Sequence, residues 1–347
     1  MSKFITYESK TANEPGIRYI GRFDFTDIEG PKFAWSASTV TARFFGTRVS
    51  AKLKSFGDNY FLVLIDRKIV INSLKLGEGE EKVFELASNL KEEEHEVSIV
   101  KRTEFYLGTA QFLGFNFGEG KLLSPSPRLE RKIEIIGDSI TCGFGNEAEN
   151  ENIEYSPKYD NSYLAYGTIA ARKLNAEPMI IGRSGFGLIR DYEGNKDNIL
   201  PNVYSRVLPD KNSEWEFHKF IPQVVVINLG TNDFSGSIPS GPIADREEFT
   251  SAYINLINRI RENYKESKVI CTIGPVMDGE ALEVIRDYVK NDVVEALRKE
   301  NNNWIYYFEY ENQLKSNGYG ITCHPSLKTH ELMANQLTDF INDILGW

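Results

Sequence analysis

The chain has 347 residues, 41% of them apolar and 26% charged, with a formal net charge of −10. That length exceeds one ordinary hydrophobic core and implies two domains, while the apolar content excludes a disordered chain. The negative balance, without a long basic run, disfavours nucleic acid or an anionic membrane surface as a partner.

No apolar run approaches the roughly 20 residues that span a bilayer. The opening Met1-Ser2-Lys3-Phe4-Ile5 lacks the apolar core of a leader peptide, so the sequence reads as cytoplasmic, and as secreted only if a leader has been removed. Cys142, Cys271 and Cys323 are an odd number without metal-ligand spacing, which excludes a disulfide framework and a zinc site and predicts three small core residues.

From residue 17 to about 117 the pattern alternates with period two, as in Val49-Ala51-Leu53 and Phe61-Val63-Ile65. Turn residues separate the segments at Gly46-Thr47, Gly57-Asp58-Asn59 and Gly77-Glu78-Gly79, and no amphipathic helix intervenes. This predicts an all-β sandwich of jelly-roll kind over residues 1–125, with many of its aromatics, Trp35, Tyr60 and Phe61 among them, facing the core. Ser124-Pro125-Ser126-Pro127 then reads as a short stiff linker.

Residues 126–347 read as an α/β domain. Five compact apolar runs, Ile133 to Ile136, Pro178 to Ile181, Val224 to Leu229, Val269 to Ile273 and Trp304 to Phe308, predict a five-stranded parallel sheet. Between them Tyr163 to Leu174, Arg246 to Tyr264 and Leu282 to Lys299 carry helical spacing. A last helix is expected to bury Leu332, Leu337, Phe340, Ile341 and Leu345 on one face, and Trp304 is expected in the core. Ligands should sit at the carboxyl ends of the strands.

Polar residues gather at those ends. The first run leads into Gly137-Asp138-Ser139, where Ser139 is either a presented nucleophile or a capping serine, with a helix N-terminus following to aid an oxyanion. The second leads into Gly182-Arg183-Ser184-Gly185, where Gly185 lets its backbone N–H approach a ligand closely. The third ends in Gly230-Thr231-Asn232-Asp233, with the Asn232 amide as a further donor. Cys323-His324-Pro325 follows the fifth, and His324 could take a serine proton. The other histidines fit poorly: His95 is in the β half, His218 precedes a strand at the wrong end, and His330 lies inside the last helix.

These blocks, in this order, resemble the SGNH (GDSL-like) hydrolase superfamily. The resemblance implies Ser139 as nucleophile, His324 as base, and the Ser139 and Gly185 N–H groups with the Asn232 side chain as oxyanion hole, with Asp138 a structural carboxylate. One departure is that Ile321 stands three residues before His324, where the superfamily usually carries the acid that orients the base. A backbone carbonyl near Thr322 is the preferred substitute, with Asp278 and Glu309 as the carboxylate alternatives.

The whole chain is similar to carbohydrate esterase family 2, on the evidence of Thr141-Cys142-Gly143-Phe144-Gly145-Asn146, Trp215-Glu216-Phe217 and Asn228-Leu229-Gly230-Thr231-Asn232-Asp233-Phe234. That similarity implies a Ser–His dyad held by main-chain carbonyls and removal of acetyl groups from xylan or glucomannan, favoured at a sugar 6-position. No cofactor or metal is implied, and homo-oligomerisation is compatible with the sequence. Trp215, Tyr155, Phe186 and Phe234 are candidate sugar platforms, each with packing as the competing role.

Three alternatives stay open: a short-chain esterase of lipolytic type, a deacetylase of another acetylated sugar, and a carbohydrate-binding protein on a relict hydrolase fold. The β domain could bind glycan, act as a structural partner or wall a cleft.

Overall fold

The computed structural model describes residues 16–210, 213–300 and 302–347. The chain forms two compact units, one running to Arg128 and taking in Arg206–Glu214, the other comprising Leu129–Ser205 and Trp215–Trp347.

The first unit contains two antiparallel sheets. One is built from β1 (Ile17–Ile20), β3 (Thr39–Gly46), β5 (Asn59–Ile65), β6 (Lys68–Leu76), β8 (Glu93–Lys101) and β10 (Lys121–Leu122). Its order is β1-β3-β8-β5-β6, with β10 also paired to β3. The other contains β2 (Lys32–Phe33), β4 (Val49–Gly57), β7 (Glu81–Ala87) and β9 (Gly108–Asn116) in the order β2-β9-β4-β7. Val49, Ala51 and Leu53 point inward as their alternation requires, and with Phe33, Phe44, Phe61, Val97 and Phe112 they form one apolar core. Trp35, Tyr60 and Phe61 are all buried. The β5–β6 connection is a two-residue turn with Asp66 and Arg67 at φ 50° and 64°, the left-handed pair that matches strand twist.

The segment 206–214 lies inside the span expected to be purely catalytic, yet it belongs to the β unit. Trp35 Nε1 donates to the Val207 carbonyl (2.9 Å) and Arg22 Nη1 to the Arg206 carbonyl (3.0 Å). The acceptors are main-chain groups, which leave no mark in a sequence.

The second unit has a parallel sheet of β11 (Arg131–Gly137), β12 (Ala176–Gly182), β13 (Val224–Asn228), β14 (Lys268–Ile273) and β15 (Ile305–Glu309), ordered β12-β11-β13-β14-β15. The chain winds one way from β11 to β12 and then returns to β13 on the other side. The carboxyl end of β11 is therefore a topological switch point, where the crossovers diverge and leave a crevice.

The helices are α1 (Ser139–Cys142), α2 (Tyr166–Lys173), α3 (Arg246–Asn263), α4 (Gly279–Asp287), α5 (Ala296–Lys299) and α6 (Leu327–Leu345), with a π-helical stretch Tyr288–Glu295 joining α4 to α5. In α3 the Asp245 carboxylate caps the Glu248 N–H (2.9 Å), and Phe249, Tyr253, Leu256, Ile257 and Ile260 are buried at three- and four-residue spacing.

Three expectations about packing need correction. The buried face of α6 is His330, Met333, Ala334, Leu337 and Ile341; Leu332, five residues from Leu337 and so well round the helix, is exposed. Trp304 is only half-buried and precedes β15, with the Arg261 guanidinium 4.3 Å from its ring centroid. Cys142 and Cys271 are buried, burial pushing the Cys271 thiol up to about 12, but Cys323 is exposed at φ 63°. Among the described residues no helix is long and apolar enough to cross a membrane.

Candidate active site

Ser139 opens α1 immediately after β11. The turn needs glycine at 137, where a Cβ would stand 2.0 Å from Thr141 Oγ1. Asp138 caps the turn, its Oδ1 accepting the Ile140 N–H at 3.0 Å, and Gly143 ends α1 in the left-handed conformation. With only four residues, α1 has little of the dipole expected to favour an oxyanion, which leaves the Ser139 N–H itself as the local donor.

His324 reaches Ser139 from the far end of the sequence. Its Nε2 lies 2.8 Å from Ser139 Oγ, while Nδ1 lies 2.9 Å from the Ile321 carbonyl and 3.1 Å from Thr322 Oγ1. An Nδ1–H donated to that carbonyl leaves Nε2 unprotonated and able to accept the serine hydroxyl. Burial pushes the His324 pKa below the ordinary imidazole value, against the opposing effect of the Ile321 and Thr322 main-chain contacts. The loop is bent to make this possible: Thr322 and Cys323 have φ 49° and 63°, and Gln313 Nε2 donates to the Cys323 carbonyl at 2.7 Å.

Neither carboxylate considered for orienting His324 does so. Glu309 is held by Arg286 (2.8 and 2.7 Å) and accepts the Tyr307 hydroxyl (2.5 Å). Asp278 lines the pocket beside Ser139 but makes no bond to the imidazole.

Ser139, Asn232 and His324 line a single cavity of about 360 Å³, with Phe234, Met277 and Asp278 among its walls. Asn232 Nδ2 donates to the Phe186 carbonyl (2.8 Å) and, more weakly, to Asp138 Oδ2 (3.5 Å), so both of its N–H groups are engaged and the amide is fixed at the cavity wall. Gly185 stands three residues beyond Gly182, the register partner of Gly137, at φ 81°.

The aromatic candidates separate. Phe234 lines the cavity but is buried against Phe249 and Tyr288, which makes it wall rather than open platform. Tyr155 stacks on Phe144 at 4.7 Å, and Phe144 packs at 4.7 Å on His324, so Tyr155 supports the base through an intervening ring. Phe186 is half-buried, with the Arg183 guanidinium 4.9 Å from its ring centroid. Trp215 is misplaced by the sequence reading: it precedes the short turn at Phe217–Lys219, whose Phe217 packs on Tyr264 just before β14, at the amino edge of the sheet. The cavity lies at the carboxyl edge.

Tyr192 is an aromatic that the motif reading overlooked. It is 45% exposed and covers Gly185, where a Cβ would meet its ring at 2.9 Å, and its N–H donates to the Gly185 carbonyl (3.0 Å). Its only sequence signal is the turn Asp191-Tyr192-Glu193-Gly194-Asn195, in which Asp191 Oδ1 accepts the Glu193 and Asn195 N–H groups.

A serine and an imidazole in contact at the switch point of a parallel sheet define a serine hydrolase fold, and residues 135–332 match the GDSL-like lipase/acylhydrolase family. Residues 19–127 match the carbohydrate esterase 2 N-terminal family. Among solved structures, a family two carbohydrate esterase from Clostridium thermocellum in complex with cellohexaose superposes with a TM-score of 0.92 at 44% identity, covering 96% of this chain and 100% of that one. The cellulase/esterase CelE of Acetivibrio thermocellus is 44% identical over 98% of this chain, which spans 41% of the relative's length. An acetylxylan esterase/glucomannan deacetylase of Cellvibrio japonicus is 26% identical over 97% of this chain and 91% of its own. The chain belongs to the family two carbohydrate esterases.

Proposed function

We propose that this esterase removes O-acetyl groups from plant cell-wall polysaccharides or their oligosaccharides, xylan and glucomannan first among them, through an acetyl-enzyme on Ser139. The observation that carries the mechanism is the relay in which His324 Nε2 lies 2.8 Å from Ser139 Oγ and Nδ1 lies 2.9 Å from the Ile321 carbonyl.

Ser139 Oγ attacks the acetyl carbonyl as His324 takes its proton. The developing oxyanion is met by the N–H groups of Ser139 and Gly185 and by the Asn232 N–H that exchanges its long contact with Asp138 Oδ2 for the oxyanion. The imidazolium then gives its proton to the departing sugar oxygen. Water, deprotonated by the same imidazole, attacks the acetyl-enzyme, and acetate leaves with Ser139 restored. The Ile321 carbonyl holds the ring for both transfers, in the place where a carboxylate serves in a three-residue arrangement. Tyr192, exposed beside Gly185, offers a ring face to the sugar.

Acetate release from acetylated xylan and acetylated glucomannan, together with a 4-nitrophenyl ester series from acetate to octanoate, tests this reading. Ser139→Ala should lower turnover by several orders of magnitude with the fold intact, and wild-type rates on the esters should fall sharply beyond acetate. Retention of most activity in the variant, or preference for long acyl chains, contradicts it.

A further inference from the structure

Asp233 follows Asn232 directly, takes no part in the steps above, and is wholly buried. Its carboxylate is the hub of a dense set of bonds. It accepts the Leu188 N–H on both oxygens (3.0 and 2.8 Å), the Ile189 N–H (2.8 Å) and the Arg190 N–H (3.2 Å). The Arg190 guanidinium turns back and donates from Nε and Nη2 to the Asp233 carbonyl at 2.9 and 2.6 Å. Gly187 lies flat against this cluster, and a Cβ there would stand 2.4 Å from Asp233 Oδ2 and 2.2 Å from the Arg190 carbonyl.

Three consecutive N–H groups converging on one carboxylate fix the path of residues 188–190 as firmly as a short helical turn would. Asn232 grips the same loop two residues earlier, through the Phe186 carbonyl. The neighbours Asn232 and Asp233 thus hold the loop from both ends of a five-residue stretch that begins immediately after Gly185.

We propose that Asp233 is a positioning residue for the oxyanion hole: by locking residues 187–190 it keeps the Gly185 N–H and the Asn232 amide convergent on the oxygen of the carbonyl that Ser139 attacks. Donors held in advance need no reorganisation as charge develops, and displacement of a donor by about 1 Å can cost roughly 100-fold in rate. The proposal rests on the serine-esterase reading above.

The test is Asp233→Asn, which is nearly isosteric but turns an NH2 group against at least one of the three N–H donors. Functional sites are counted from the end-point of covalent labelling by a fluorophosphonate, so that turnover is expressed per intact site. The expected result is a fall of roughly 10- to 100-fold in kcat per labelled site with KM within about two-fold. The phosphonylation rate should slow in parallel, because that adduct also places an oxygen in the hole. Arg190→Gln should move both rates in the same sense by a smaller factor, and carries the test if Asp233→Asn does not fold.

A smaller labelled fraction with kcat per site within about two-fold of wild type overturns the proposal, since it marks a purely structural carboxylate. So does a raised KM at unchanged kcat. Ser139→Ala run in parallel separates the two failures: residual turnover there overturns the esterase reading, whereas an inactive Ser139→Ala beside a wild-type-like Asp233→Asn overturns the positioning role alone.

Discussion

Two histidines, one in each unit, are oriented through the same ring nitrogen by different partners. In the β unit, His95 Nδ1 meets the Asp66 carboxylate at 2.7 Å and Nε2 meets the Lys91 carbonyl at 3.0 Å. In the catalytic unit, His324 Nδ1 meets the Ile321 carbonyl at 2.9 Å and Nε2 meets Ser139 Oγ at 2.8 Å. Burial lowers both pKa values, but at His95 the Asp66 bond and charge outweigh it and the net shift is upward, whereas at His324 it prevails and the shift is downward. A carboxylate both aims an imidazole and stabilises its cation; a carbonyl aims it without supplying a full charge. The esterase therefore has a base that is well oriented yet remains neutral, and competent to accept a proton, into mildly acidic solution.

Exchanging the two rings' roles gives the largest effects. His324→Gln should reduce turnover by several orders of magnitude, because among the described residues no other base contacts Ser139, while His95→Gln should leave the same assay unchanged.

Giving His324 a carboxylate would break the contrast more subtly. Thr322 is exposed, with Oγ1 3.1 Å from Nδ1, and its φ of 49° is tolerated by aspartate. Thr322→Asp should shift the acid limb of kcat/KM upward by about one pH unit, as an adjacent opposite charge does. An unmoved limb would show that charge at this position does not reach the ring.

The smallest effect is on stability. The raised His95 pKa means that its contribution is fully present below the unfolded-state value and is lost as pH rises through the folded-state value. Asp66 is half-exposed, so His95→Gln should cost at most about 1 kcal/mol, seen as a lower Tm in acid that converges with wild type above neutral pH.

Much of the catalytic unit was legible because its signals are local. Each of the five apolar runs overlaps a strand, and Ser139, Asn232 and His324 stand at carboxyl ends in the order that the motifs gave. What escaped was carried by main-chain atoms or by distance. The acceptor for His324 is the carbonyl of Ile321, and the only hint of it was the missing acid at that position. The β unit's hold on 206–214 uses carbonyls some 172 residues from Trp35. In the sequence Asp233 is only the tail of a motif, because the donors to its carboxylate, the main-chain N–H groups of Leu188 to Arg190, are 43 to 45 residues away and leave no mark of residue type. Trp215 has the residue type of a sugar platform and stands near a strand, but the neighbouring strand end is the amino one.

The pH dependence of kcat/KM for 4-nitrophenyl acetate, measured on the wild type, Asp278→Asn and Glu309→Gln, tests most directly the claim that a carbonyl-held His324 is the base. The account predicts one acid limb below the ordinary imidazole value near 6.5, in the same place for all three proteins, with rates within about two-fold. A limb at or above 6.5, or a loss of 100-fold or more in either amide variant, would mean that a carboxylate supports the base and would contradict it.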